Sequence, residues 1–383
     1  MMLKRSITLF IVFSILLTGG MLALVGCDAD EAIPEEPVDE PENDVVEVEE
    51  KFDLIWAGTE PAGDFTSLAA EDYTAAIYDY TDGQVEFVFY EYGALGEIDD
   101  VAEAAVRGTV DGAHLDYGWT GVLVPELQVT ALHYLFPRER VEEVVEWISQ
   151  NGDFLDFLEE VMREQNLVPV GFTLMGWQYI TSNSPIESIS DMEGLNKRVM
   201  DAAILNDQWS RYGASPTATP FGEVYGGLQM GMLDAQTNPI HSIYSMAFYE
   251  VQDYIIQIWN EPFTQVPSIN ADTYDSLPEH VQEFMKEYYM NNSARYIKEY
   301  AFDIHEEQKA IMSEERPEIT YIYIEDDEVL SEFKEAVRPS HEAFIEGRFG
   351  GERTREAYEV LTNDIERAKE ALGIDEETIN VLE

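Results

Sequence analysis

The amino-acid sequence predicts an α/β protein of two lobes arranged as a hinged clamp, finished by long C-terminal helices. Three observations carry that reading. Strand-like and helical stretches alternate from residue 52 to residue 117, a pattern that calls for parallel strands with helices laid over the sheet faces. A contiguous stretch, residues 177–264, interrupts this first unit, and strand-like residues 265–269 resume it afterwards. The chain therefore crosses between lobes twice in extended form, near Gly176 and near Phe263, and a double crossing makes a natural hinge.

Taken in order, residues 1–27 read as a targeting segment. Lys4 and Arg5 precede an apolar run at 7–24, and Leu24-Val25-Gly26-Cys27 matches the bacterial lipobox, in which a cysteine is lipidated after cleavage. A retained membrane span is the other reading; the run is near the lower spanning length and contains Gly19-Gly20. Residues 28–51, dense in Asp, Glu and Pro, cannot bury enough apolar surface to offset their ordering entropy, and they read as a disordered acidic tether. The first lobe, residues 52–176, opens with a strand at 52–57. A helix at 65–80 follows, stopped by Thr81-Asp82-Gly83. Then come a strand at 85–90, a turn at Gly93-Ala94-Leu95-Gly96, a helix at 98–106 ended by Gly108, and a strand at 113–117. Residues 141–165 form two helical segments broken at Asn151-Gly152, and 167–174 is strand-like. The second lobe spans 177–264. Residues 265–318 complete the first lobe and are helical from 279 to 312. Residues 319–383 add a short strand at 320–324 and helices at 329–345 and 353–372, expected to pack across the lobes.

Composition narrows the function. Against 77 Asp+Glu the chain carries 22 Lys+Arg, a net charge of −55. That balance excludes nucleic acid as a partner, because phosphate contacts need clustered cations, and it disfavours adhesion to anionic lipid. Acidity spread over the whole chain reads as adaptation to a saline habitat, where screening removes most self-repulsion. Cys27 is the single cysteine, so no disulfide forms within the chain. Catalytic and cofactor signatures are absent from the sequence: it has no Gly-x-Ser-x-Gly elbow, no His-Glu-x-x-His and no phosphate loop. Its six histidines are scattered, without the spacing of a zinc site. No cofactor, metal or enzymatic activity is expected.

The most informative stretch runs from residue 192 to 250. It contains Gly194-Leu195-Asn196-Lys197-Arg198-Val199-Met200, then Pro220-Phe221-Gly222-Glu223-Val224-Tyr225, then Gly231-Met232-Leu233-Asp234-Ala235-Gln236-Thr237-Asn238-Pro239. In order and spacing these three runs resemble the solute-binding proteins of TRAP transporters (tripartite ATP-independent periplasmic transporters), of the four-carbon dicarboxylate and sialic acid type. The resemblance extends more weakly over residues 53–349. It implies a periplasmic-binding-protein-like (type II) clamp that captures a small organic acid outside the cell. The loaded clamp would deliver it to a sodium-driven membrane permease.

Arg198 is the leading site residue. Arginine presents a planar fork that fits a carboxylate with two parallel hydrogen bonds. From the residues alone, a buried structural ion pair, with Glu223 as a candidate partner, is the favoured explanation; the resemblance reverses this and assigns it the ligand carboxylate. Lys197, its strand neighbour, is expected to face solvent. Asn238, just before Pro239, reads as a helix cap, and the resemblance makes it a second donor to the ligand. Phe221 is core or, by resemblance, the aromatic that packs on the ligand. Gln178 stands where many relatives carry a second arginine and supplies only a neutral donor. Thr237 replaces their glutamate. The first lobe should contribute from strand ends, with Thr59 and Glu60 after the first strand and Asp116 and Tyr117 after the third. Trp56, Trp119, Trp177 and Tyr179 lie nearby, and Trp177 is included in the candidate set.

Three other readings stay open at this stage. The ligand could be a zwitterionic compatible solute, its carboxylate on Arg198 and its cationic part on Asp116, Glu60 and aromatic faces. The chain could be a ligand-sensing receptor lipoprotein for a signalling system. A surface-anchored hydrolase is disfavoured by the missing nucleophile and metal motifs.

Overall fold

The computed structural model describes residues 51–382. The expected targeting segment and nearly all of the tether lie outside that range. The folded body is built on two six-stranded sheets, and each lobe is one sheet with its helices.

The first sheet contains β1 (Phe52–Ala57), β2 (Val85–Tyr90), β3 (Gly112–Asp116), β4 (Leu167–Pro169), β5 (Thr173–Trp177) and, in its middle, β11 (Pro262–Asn270). β1 runs parallel to β2, with Phe52 opposite Val85 and Ala57 opposite Tyr90, and parallel to β3. Parallel strands need a crossover, and the helices Phe65–Tyr80 and Ile98–Arg107 supply it. The second of these shows why local sequence suffices there. Glu97 and Asp100 form a reciprocal capping box at its start, and Gly108, at φ 70°, closes its end. Trp56 packs edge-on against Tyr73 and Phe87, at 5.5 and 5.7 Å between ring centres, tying β1 to its helix and to β2.

The second sheet contains β6 (Tyr179–Ser182), β7 (Asn196–Val199), β8 (Ser215–Ala218), β9 (Ala235–Asn238), β10 (Tyr254–Gln257) and β12 (Thr320–Tyr323). Its order is β12-β10-β6-β9-β7-β8. β5 and β11 belong to the first sheet, β6 and β10 to the second, so the chain passes between sheets at Gln178 and again across residues 258–261. A third passage leads from the helix Asp303–Glu315 into β12, which pairs parallel with β10. β11 and β5 run antiparallel with a register irregularity between Pro262 and Thr264, at the crossing itself.

The helical run after β11 is continuous from Glu279 to Glu315, with a π-helical turn at Ile297–Phe302. The last two helices bridge the body. Asp327–Ile345 packs on the second-lobe helix Ala203–Arg211, where Ser340 Oγ donates to Asp207 Oδ2 at 2.6 Å. Thr354–Leu372 packs on the first-lobe helices, where Phe154 N donates to Asp364 Oδ2 at 2.8 Å.

Candidate functional site

A small cavity of about 20 Å³ lies between the lobes, at the carboxyl ends of strands from both sheets. The first lobe lines it with Thr59, Glu60, Ile98, Asp116 and Trp119, and the second with Arg198, Met200, Phe221 and Asn238. Phe263 and Gln265, on the crossing strand β11, form its floor. That is room for about one water molecule.

Asp116 ends β3. Its Oδ1 accepts from Gly118 N at 2.6 Å and Trp119 N at 3.1 Å, a local turn that fixes both the carboxylate and the Trp119 ring beside the cavity. Burial pushes its carboxyl up to about 6, against the pull of those backbone N–H groups and of Arg198. Glu60 follows β1; its Oε1 accepts from Ser242 Oγ of the second lobe at 3.1 Å. Thr59 Oγ1 donates to the His114 carbonyl, at 3.2 Å.

Arg198 sits on β7, between β8 and β9. Its Nε donates to the Thr219 carbonyl at 3.0 Å and its guanidinium lies 5.9 Å from the Phe221 ring centre. Only 2% of it is exposed, and burial pulls it down to about 10, with Asp116 opposing. The ion pair with Glu223 is not formed: Glu223 is exposed, and Arg198 pairs with no carboxylate among the described residues. Its terminal N–H groups are therefore left for the cavity. Gln265 Oε1 and Trp119 Nε1 likewise meet no partner among the described residues. A buried unpaired donor or acceptor is costly, so these atoms mark where a polar ligand would bond.

Of the nine candidate ligand residues, Thr59, Glu60, Asp116, Arg198, Phe221 and Asn238 face this cavity. Tyr117 and Gln178 stand one layer behind it. Gln178 Nε2 donates to the Tyr117 hydroxyl at 3.2 Å, and Tyr117 packs edge-on to Phe263. Trp177 packs edge-on to Trp259, with ring centres 5.7 Å apart, at the other end of the crossings. Two local expectations are corrected. Lys197 is buried, not solvent-facing; its Nζ donates to the Arg198 carbonyl at 2.7 Å and lies 4.0 Å from the Trp209 ring centre. β7 is an interior strand, and the helix Ala203–Arg211 covers its second face, so both sides of the alternation are enclosed. Asn238 does not cap a helix. It ends β9, its amide donates to Gln236 Oε1, and Pro239 occupies the cap position of the helix Ile240–Ser245. Ile98, Met200, Phe263 and Gln265 escaped the sequence reading. No local signal singles out Gln265, one of four polar residues in a strand buried along its whole length.

The sequence model of a family described as bacterial extracellular solute-binding protein, family 7, matches residues 56–347. The ectoine-binding periplasmic protein of Halomonas elongata is 28% identical over 310 residues, covering 81% of this chain and 89% of that protein. The ectoine/5-hydroxyectoine-binding periplasmic protein of Ruegeria pomeroyi is 29% identical over 297 residues, covering 76% and 84%. Among solved structures, that of the Halomonas elongata ectoine-binding protein superposes with a TM-score of 0.76 at 28% identity, over 82% of this chain and 99% of that one. An open, ligand-free TRAP periplasmic solute-binding protein from Marinobacter aquaeolei superposes with a TM-score of 0.72 at 26% identity, over 82% and 99%.

Proposed function

The chain belongs to family 7 of the bacterial extracellular solute-binding proteins, the binding proteins of TRAP transporters, and from that premise we propose that it captures a small organic acid by its carboxylate on Arg198 and delivers it to a sodium-driven membrane permease. The observation that carries this reading is the buried guanidinium of Arg198, which faces the cavity without a carboxylate partner among the described residues. Asn238 Nδ2 and the unpaired Trp119 Nε1 supply further donors around the same space. Capture needs no chemistry on the ligand. It needs only higher affinity for the closed lobes than for the open ones.

A second reading is favoured by one specific observation: two carboxylates, Glu60 and Asp116, line the same cavity as the single Arg198. A zwitterionic compatible solute would satisfy both signs of charge, and the relatives from Halomonas elongata and Ruegeria pomeroyi are named for ectoine.

A thermal-shift screen of organic acids and osmolytes, ectoine included, tests both. A ligand at 100 times its Kd stabilises the protein by about 2.7 kcal/mol. Stabilisation by simple carboxylates supports the first reading; stabilisation by zwitterions alone moves the assignment to the second. A screen in which no carboxylate-bearing compound acts sinks both. The Leu24-Val25-Gly26-Cys27 run further supports lipid anchoring at Cys27 on the outer face of the cell membrane. Metabolic labelling with a fatty acid should mark the wild-type chain and miss Cys27→Ala; an unlabelled wild type rules the anchor out.

A further inference from the structure

Behind the cavity lies a buried run of side chains that ligand capture by Arg198 does not use. Glu60 belongs to the first lobe. Its Oε2 lies 3.2 Å from His241 Nε2, and its Oε1 accepts from Ser242 Oγ. His241 and Ser242 sit on the helix Ile240–Ser245, which follows β9 of the second lobe. A cavity carboxylate of one lobe is thus held by two neighbouring groups of the other. One helical turn on, Ser245 Oγ donates to Asp64 Oδ2 at 2.7 Å, a second tie between the same two elements. On its far side His241 Nδ1 lies 3.1 Å from His305 Nε2, the two rings stacked at 5.3 Å and 16°. His305, on the helix Asp303–Glu315, packs against Gly176 of β5, where the chain leaves the first sheet. Glu60, His241 and His305 are all buried.

Hydrogen-bond roles along this run are constrained. Glu60 requires an N–H on His241 Nε2. If His241 is an imidazolium, its Nδ1–H donates to an unprotonated His305 Nε2. If it is neutral, the proton between the rings must come from His305. The surrounding charges decide between these. Glu60 and Asp64 face His241 from the first lobe, and Asp116 of the same lobe adds its charge near Glu60. His305 faces His241 from the helix Asp303–Glu315, and Lys309 of the same helix acts on His305. Burial pulls His241 down, but Glu60 and then Asp64 outweigh it, and the net shift is upward. Burial, His241 and Lys309 all hold His305 far below its ordinary value, so it is the neutral acceptor.

We propose that His241 is a positioning residue for the cavity: as an imidazolium it ties Glu60 to the second lobe and so links closure of the clamp to one proton. The proposal rests on the interlobe cavity being the ligand site. Its sign follows from the raised value. The tie is fully present below the unfolded imidazole value of about 6.5 and is lost as pH rises through the folded one. Asp64, which burial pushes up to about 7, weakens closure in the same direction, so the His241 part must be isolated by substitution.

The test uses the full chain without ligand, so its failure is distinct from failure of the carboxylate reading. Nitrogen NMR of the imidazoles is followed over a pH series in wild type and in Glu60→Gln, a near-isosteric change. Small-angle scattering over the same series is recorded for wild type, Glu60→Gln, His241→Gln and the double variant. His241 should carry its proton at pH 6 in wild type, His305 should be neutral, and Glu60→Gln should move the His241 titration down by about 1 pH unit or more. Wild type should expand as pH rises through that titration. Both single variants should be expanded already at pH 6, and the double variant should expand no further. A His241 that is neutral at pH 6, or whose titration ignores Glu60→Gln, overturns the proposal. So does a scattering profile in His241→Gln that matches wild type at every pH.

Discussion

Arg198 reaches the cavity with much of its hydrogen-bonding capacity uncommitted, since among the described residues Nε alone is bonded, to the Thr219 carbonyl. That one bond fixes the plane of the guanidinium, and Phe221 limits where the plane can swing. A preset fork loses little entropy when a carboxylate arrives. Arg198→Ala should therefore cost about 2–5 kcal/mol in ligand binding, roughly thirtyfold to several-thousandfold in affinity. Arg198→Lys should recover only part, because a point charge cannot reproduce two parallel bonds. Calorimetry with the compound selected by the screen measures both; an Arg198→Ala protein that binds as tightly as wild type refutes the site. Lys197 next door shows the limit of reading residues by their neighbours. Strand alternation correctly separates it from Arg198, yet it cannot tell whether the opposite face meets water or Trp209. Only the packing of the helix Ala203–Arg211 decides that, and it leaves Lys197 held far below its ordinary value, first by burial and then by Arg198.

At the level of elements, legibility followed the range of the interactions. The alternation from β1 to β3 could be read because each piece is specified locally: apolar strands, covered crossover helices, and glycine at the end of Ile98–Arg107. The stretch 167–174 looked like one strand and is two pieces, β4 and β5, paired at different points along β11. At the break, the Tyr289 ring lies where a Cβ on Gly171 would stand; that contact is 118 residues away in sequence and leaves no local signature. The π-helical turn at Ile297–Phe302 was invisible for a similar reason, since apolar spacing continues through it. The cavity divides the same way. Thr59, Glu60 and Asp116 could be named from the rule that ligands gather at strand carboxyl ends. Phe263 and Gln265 could not, because they enter through the return crossing, whose register is set by pairing with β3 and β5. His241 and His305 read as scattered histidines, 64 positions apart, and become partners only in the folded chain.

For the whole molecule the decisive quantity is charge. Cations are outnumbered so heavily that several are shared. Arg163 pairs with Glu159 and Asp275, Arg316 with Asp253 and Glu318, and Arg353 with Glu160 and Glu356. With 77 Asp+Glu against 22 Lys+Arg, most carboxylates have no cation to pair with, and folding brings like charges closer together than they are in an extended chain. Two salt effects then compete. Screening weakens exposed ion pairs, each worth about 0–1 kcal/mol, and it also weakens repulsion among the unpaired acids. With a net charge of −55, repulsive pairs far outnumber attractive ones, so the second effect wins. The Debye length falls from about 30 Å at 0.01 M to about 10 Å at 0.1 M and about 3 Å at 1 M. Repulsion across the protein's width should be lost first and repulsion between neighbouring side chains last, so stability should climb steeply at low salt and continue to rise towards molar concentration. Thermal unfolding in a sodium chloride series at fixed pH reads this directly. Tm should rise monotonically over that range, and sucrose at matched osmolality should give a smaller increase. A Tm that is flat or falls as salt is added would show that the acidic surface is not under repulsive strain, and the saline-habitat reading would go with it.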